Sequence, residues 1–264
     1  MERLFRSIML LDKPAGLTSL ECAEKVRKIF SAKKSGHAGT LDPGATGALI
    51  IALDEATKAM PVLMGLEKTY EAVMHIHRDF DQNELKEAVK SFTGKIIQKP
   101  PVRSAVSRVP RERDIYSFEI HRIQGRDVSF RVRCQAGTYI RKLCSDIGEK
   151  MGSGAHMKSL IRTRIGPFSL KECVNLEALE KNPEKHLISL ETAFQRIGIK
   201  RIFLKEYSAR KILNGSPVFP DHVQKADRFQ KGEQVGIFSG RKLIALGVTT
   251  GGKSIAKTDR IFRI

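Results

Sequence analysis

Tryptophan is absent from this 264-residue chain, and tyrosine is scarce, with 4 Tyr beside 13 Phe. Platforms on which bare single strands of nucleic acid could stack are therefore sparse. The 4 cysteines, Cys22, Cys134, Cys144 and Cys173, are widely spaced without a C-x-x-C, and no histidine pair has H-x-x-x-H spacing. That pattern argues against a zinc site, and the cysteines read as reduced residues filling the core. No apolar run approaches the roughly 20 residues a membrane span needs. The opening MERLFRSIMLLDKP lacks the long apolar stretch and small-residue cleavage site of a signal peptide. The expectation is a cytoplasmic protein with no membrane contact. Acidic residues are also short, 29 Asp and Glu against 47 Lys and Arg, for a formal net charge of +18. Such an excess attracts polyanions and drives counterion release from phosphate backbones. Structured RNA or a duplex, gripped through its phosphates, is the partner this composition favours.

The patterning predicts a mixed chain. SIMLLDKP reads as a short buried strand, and TSLECAEKVRKIF as a helix opened by a Thr18/Glu21 capping box. ALIIAL, residues 48–53, is the continuous apolar run of a strand covered on both faces. KTYEAVMHIH alternates Tyr70, Ala72, Met74 and Ile76 on one face of a strand, with Tyr70 near its start. DQNELKEAVKSF predicts a second amphipathic helix with Leu85, Ala88, Val89 and Phe92 inward. The basic, proline-bearing residues 95–113 predict a loop or edge segment, followed by a hairpin over IYSFEIHRIQGRDVSFRVRC. Ile140, Leu143, Cys144, Ile147 and Met151 mark another helix, and MGSGAHMKSLIRTRIGPF predicts loop, short helix and loop. From about residue 199, short β-like runs alternate with Gly- and Pro-bearing turns, which predicts a small β-rich unit.

Two motifs mislead. GVTTGGKS, residues 247–254, fits the phosphate-loop pattern, but only ten residues follow Ser254, too few for the helix and acid-bearing strand of a nucleotide site. A β-turn is expected there. HRD at 77–79 suggests a kinase catalytic loop, yet Asn83 is one residue too close and the other kinase signatures are missing.

Asp42, within SGHAGTLDPGATGALIIAL, poses a sharper question. Asp-Pro-Gly is turn chemistry in its own right, and a turn would suffice to explain it. Arg141, however, falls in the first turn of the helix opening at GTYIRKL, where a cation opposes the positive end of the helix dipole. A buried carboxylate needs a cation, or it protonates. The two difficulties cancel if Asp42 and Arg141 meet as a buried ion pair. The alternative is that Arg141 faces solvent.

GHAGTLDPGATG resembles the signature of the TruB family of pseudouridine synthases. LDKPAGLTS (11–19), KTYEA (68–72), GTYIRKLCSDIG (137–148) and GSGAHMKSLIRTRIGPF (152–168) follow in that family's order and approximate spacing. The resemblance covers roughly residues 8–170, and HRD, TGKIIQKPP and the GAHM…LIRTRIGPF run look closest to the archaeal and eukaryotic dyskerin-type branch. Residues from KRIFLKEYSARKILNGSPVF onward resemble a PUA domain. The sequence departs from the family at Ala38 and in TGALI, neither of which touches the carboxylate.

The resemblance implies an α+β chain: a pseudouridine synthase catalytic domain over 1–195 with a central antiparallel-rich mixed sheet flanked by helices, then a small β-barrel-like PUA RNA-binding domain over 196–264. It implies an isomerase converting uridine to pseudouridine as the catalytic subunit of a box H/ACA guide-RNA particle with small accessory proteins, acting on rRNA and also on tRNA. A stand-alone tRNA synthase acting on the T-arm uridine, and a non-catalytic RNA-binding scaffold, are the alternatives. Asp42 would be the catalytic carboxylate and Arg141 the cation beside it. Tyr70 would lie against the flipped uracil and handle a proton late in the reaction. His37 would contact RNA beside the extruded base, Leu160 would wall the pocket, and Lys13 would support the active-site loops. The N–C glycosidic bond breaks and a C–C bond forms at C5, with no redox change, so neither cofactor nor metal is called for. The carboxylate attacks covalently or abstracts a ribose proton; both routes stay open.

Overall fold

The computed structural model describes residues 5–100 and 107–262. The chain opens with β1 (Ser7–Lys13), α1 (Ser19–Ile29), β2 (Ser35–His37) and β3 (Thr46–Leu53), followed by α2 (Met60–Gly65) and β4 (Lys68–Ile76). Next come α3 (Gln82–Ser91), β5 (Gly94–Gln98), the hairpin β6 (Arg111–Gln124) and β7 (Asp127–Cys134), α4 (Ile140–Lys150), β8 (Ala155–Ile165) and β9 (Phe168–Ser169). The rest is α5 (Leu176–Lys181), β10 (Ile188–Ser189), α6 (Leu190–Ile197), β11 (Lys200–Leu204), α7 (Ala209–Leu213), β12 (Val223–Ala226), β13 (Gln234–Ser239), β14 (Lys242–Thr249) and β15 (Ala256–Ile261).

Ten strands form one mixed sheet along β10-β1-β3-β8-β4-β7-β6-β5, with β2 on β3 and β9 on β8. Among the described strands of this sheet, β3 and β8 pair in parallel and the other strand pairings are antiparallel. β3 is covered on both faces as its unbroken apolar run requires. Ala48, Ile50 and Ala52 enter one core, while Leu49, Ile51 and Leu53 enter another with Cys22, Ala23 and Val26 of α1. The capping box that starts α1 is present: Glu21 N–H donates to the Thr18 hydroxyl at 3.1 Å, and Thr18 N–H donates to the Glu21 carboxylate at 2.7 Å. Tyr70, Ala72, Met74 and Ile76 of β4 share a core with Leu85, Ala88 and Val89 of α3 and with Ile140, Leu143, Cys144 and Ile147 of α4. Both helices thus cover the same face of the β4–β7–β6 half.

One expectation is corrected. Residues 155–165 form a strand, not a loop and short helix: β8 pairs with β4 along its length. Register shifts opposite Thr69/Tyr70 and Val73/Met74 break its period-two alternation, so that Met157, Leu160, Ile161 and Ile165 fall at helical spacing. Of the loop-or-edge expectation for residues 95–113, the edge form holds among the described residues: residues 94–98 and 111–113 are paired strand, and β5 closes the sheet as an edge, which accommodates the prolines just beyond it. Residues 101–106 of that stretch lie outside the described residues.

The C-terminal region is a five-stranded sheet in the order β12-β11-β13-β14-β15. Val218, shortly before β12, bridges to Ala256 of β15, so the chain leading into one edge meets the strand at the other. This sheet has a small core of its own around Ile202, Ile212, Val235, Ile237 and Ile244. Its Phe238, Leu243, Leu246 and Phe262 belong instead to a core shared with Ile8, Leu190 and Phe194. GVTTGGKS runs from β14 into a loop leading to another strand, with no helix after it among the described residues. Among the described residues, no helix is long and apolar enough to cross a membrane.

Candidate active site

Asp42 lies on the loop between β2 and β3. Ala45 N–H donates to Asp42 O at 3.0 Å, closing the turn over Asp-Pro-Gly, and Gly16 N–H donates to Pro43 O at 2.9 Å. Ser19, buried in the first turn of α1, donates to Leu41 O at 3.2 Å and accepts from Leu41 N–H at 2.8 Å. Lys13 at the end of β1 is wholly buried, and its ammonium donates to Pro14 O (2.9 Å), Pro43 O (3.2 Å) and Ala45 O (2.8 Å). The carboxylate is thus bracketed by backbone tied to the β1–α1 connection. Burial holds the Lys13 ammonium below the usual lysine range.

Arg141 meets Asp42. Its terminal nitrogen lies 2.9 and 2.7 Å from the two carboxylate oxygens. Arg141 follows the first residue of α4, which has no side-chain cap, so the carboxylate sits where the helix dipole favours an anion. The expected burial does not hold: the two side chains are 43% and 44% exposed. Solvent screens such a pair, leaving it about 1 kcal/mol or less of stability. Its consequence is placement: the carboxylate is oriented and left open to solvent.

Tyr70 and Leu160 sit on neighbouring strands beneath this loop. Ala72 pairs with Leu160, and Tyr70 with Arg162. Tyr70 and Leu160 belong to the same apolar cluster as Leu41 and Ala45, which flank Asp42. Burial pushes the Tyr70 phenol above its ordinary value, and the Arg162 charge opposes that rise. His37 ends β2 half-buried, with Nδ1 enclosed and without a hydrogen-bond partner among the described residues. Burial, then the Arg162 charge, holds its imidazole below the usual range.

Three residues at this site escaped the sequence reading. Arg162, 1% exposed, donates through Nε to Ala48 O at 2.7 Å and through a terminal nitrogen to Gly39 O at 3.0 Å. Lys68 is buried with its ammonium 2.6 Å from both Met64 O and Leu66 O, and burial brings it down to about 8. Ser19 is the third. Gly47 shows how tightly β3 meets β8: at φ +104°, a Cβ there would stand 2.3 Å from Arg162 O. Among the described residues, no group of three or more His, Cys, Asp or Glu is placed to hold a metal.

Comparison with known proteins shows the family and the fold. Residues 27–140 match the TruB family pseudouridylate synthase N-terminal domain, and residues 141–195 the tRNA pseudouridylate synthase B C-terminal domain. A probable tRNA pseudouridine synthase B of Methanopyrus kandleri is 42% identical over 94% of this chain and 77% of its own length. One from Archaeoglobus fulgidus is 36% identical over 100% and 83%. A crystal structure of a Cbf5-Nop10-Gar1 complex aligns with a TM-score of 0.88 and 34% identity, covering 98% of this chain and 85% of that one. An H/ACA RNP bound to a substrate RNA containing 2′-deoxyuridine aligns at 0.86 and 31%, covering 98% and 86%. The chain belongs to the TruB family of pseudouridine synthases. It is an isomerase of uridine in RNA, with the mixed α+β fold that family uses.

Proposed function

We propose that this pseudouridine synthase works as the catalytic subunit of a guide-RNA particle of the box H/ACA kind, with small accessory proteins, and that Asp42 is its catalytic carboxylate. The observation carrying the site is the Asp42–Arg141 pair, held on a loop braced by Lys13 and Ser19 and half open to solvent. Arg141 orients the carboxylate. Tyr70 lies against the flipped base and handles a proton, Leu160 walls the pocket, and His37 meets RNA beside it. Extruding a base from a stack costs a few kcal/mol, which phosphate contacts by the surrounding cations offset.

The guide-RNA reading rests on the likeness to Cbf5 complexes over 98% of this chain, C-terminal sheet included. In that reading residues 1–195 are the catalytic domain, residues 196–264 a PUA domain holding RNA, the substrates are rRNA and tRNA, and the setting is the cytoplasm. A second reading, a stand-alone tRNA synthase, is favoured by the names of the curated relatives. The assay that decides offers two substrates, a bare tRNA and a target paired to a box H/ACA guide with partner proteins supplied. Modification dependent on the guide supports the first reading. Activity on tRNA alone, with no gain from the guide, supports the second.

A further inference from the structure

Arg162 is a fully buried guanidinium for which, among the described residues, no carboxylate forms an ion pair. Its hydrogen-bond acceptors are two backbone carbonyls, and its cross-strand neighbour is Tyr70. Ala48 O receives Nε–H and Gly39 O a terminal N–H, and the guanidinium is held on the strand directly beside that of Tyr70. A buried charge without a counter-ion is unfavourable, and the fold nevertheless builds around this one. Tyr70 and Arg162 are register partners on β4 and β8. Gly39 and Gly47, at the two ends of the Asp42 loop, both have φ +104° and both stand against Arg162: a Cβ at Gly39 would lie 3.5 Å from its guanidinium. The carbonyls at either end of the loop therefore fix the guanidinium beside the strand that carries Tyr70.

We propose that Arg162 is a positioning residue for the isomerisation, acting through Tyr70 by holding the phenol oxygen as an acceptor so that the Tyr70 proton is left to be donated into the pocket. The directionality follows from donor inventory. A guanidinium has five N–H donors and no acceptor, so in a bond between these cross-strand neighbours the phenol oxygen must accept. Its own O–H is then free for a substrate oxygen or nitrogen. The positive charge also acts against the effect of burial on Tyr70, which makes the phenol a stronger donor than an isolated buried tyrosine. A lysine at this position would keep the charge but lose the planar fork.

This inference rests on the role given to Tyr70 above, and a double-mutant cycle separates the two. Tyr70→Phe, Arg162→Lys and the double variant are compared by single-turnover pseudouridine formation, with RNA affinity and thermal unfolding measured alongside. Arg162→Lys is expected to slow the chemical step roughly 10- to 100-fold with RNA affinity unchanged. In the Tyr70→Phe background the same change is expected to cost less than about threefold, because the residue it acts through is gone. Losses that multiply, or a loss confined to RNA affinity, overturn the role of Arg162 while leaving the site reading intact. Tyr70→Phe at the wild-type rate removes Tyr70 from the chemistry and this inference with it. Should Arg162→Lys not fold, Arg162→Gln, which keeps a planar N–H donor, is measured in the same cycle. Failure of both to fold assigns Arg162 to the scaffold alone and overturns the proposal.

Discussion

The two sheets use the same residue types in opposite ways. Residues 1–195 hold 32 Lys and Arg against 24 Asp and Glu, whereas residues 196–264 hold 15 against only 5. In the large sheet the notable cations are inside: Lys13, Lys68 and Arg162 are buried and spend their donors on backbone carbonyls. In the small sheet Lys205, Lys211, Lys225, Lys231, Lys253 and Lys257 are all exposed, and acids are too few to pair with most of the basic residues. A buried cation fixed to carbonyls shapes a loop and orients its neighbours. An exposed cation without a partner shapes nothing and offers itself to a polyanion. In the proposed reading the large sheet carries the chemistry, while the small sheet offers exposed charge with no comparable set of buried cations.

The strongest break in that contrast is the removal of the carboxylate. Asp42→Asn is expected to leave fold and RNA affinity in place and to lower isomerisation at least about 10³-fold. Pseudouridine formation near the wild-type rate, read by mass spectrometry of the modified RNA, would overturn the site. Arg141→Met comes next, with a loss of roughly 10²-fold on the chemical step, the scale of a misplaced reacting group. Because the pair is half exposed, its unfolding temperature should barely move. A large drop in stability with catalysis preserved would make the pair structural instead.

How much of this could be read beforehand depended on whether a residue acts locally or through register. The capping box at Thr18 and Glu21, the two-sided β3 and the Asp42–Arg141 meeting were legible because each follows from local chemistry or from an electrostatic conflict at a helix start. β8 was misread because its bulges replace strand alternation with helical spacing. Arg162, Lys68 and Ser19 left no signal: a lone basic residue in a basic chain looks like surface. Arg162 differs from Arg164, two residues on and less buried, through which carbonyls stand opposite it. A change of texture from about residue 199 was legible, but the core joining Phe194 to Phe238 and Phe262 was not. Deleting residues 196–264 would strip that core, so the small sheet is better probed by its charge than by its removal.

Neutralising Lys225, Lys231, Lys253 and Lys257 together with glutamine tests the small sheet without touching the shared core, since all four are exposed. RNA affinity at moderate salt is expected to fall on the order of tenfold. The slope of log affinity against log salt should flatten by about 0.7 to 0.9 for each phosphate that the protein no longer neutralises. The single-turnover rate at saturating RNA should be unchanged. A changed rate with an unchanged salt slope would reverse the assignment of the two sheets.

The smallest effect concerns a buried cation of the large sheet. Folding lowers the Lys68 ammonium from an ordinary 10.5 to about 8, chiefly by burial and then by the Arg162 charge. Between those values the unfolded chain keeps the proton that the native chain has released, so this group makes stability rise with pH across that window. Below it both states are protonated and the burial penalty is constant. From pH 7.5 to 9 the contribution is about 1 kcal/mol, given ~1.4 kcal/mol for each pKa unit. Lys68→Met lacks the titrating group, and its stability should gain less than the wild type over that interval, by about that amount. It also loses the bonds to Met64 O and Leu66 O, which lowers its stability at every pH without tilting the profile. Parallel urea-unfolding profiles for the two proteins from pH 7.5 to 9 would show that Lys68 is not held in the strained, desolvated state that distinguishes the cations of the large sheet from those of the small one.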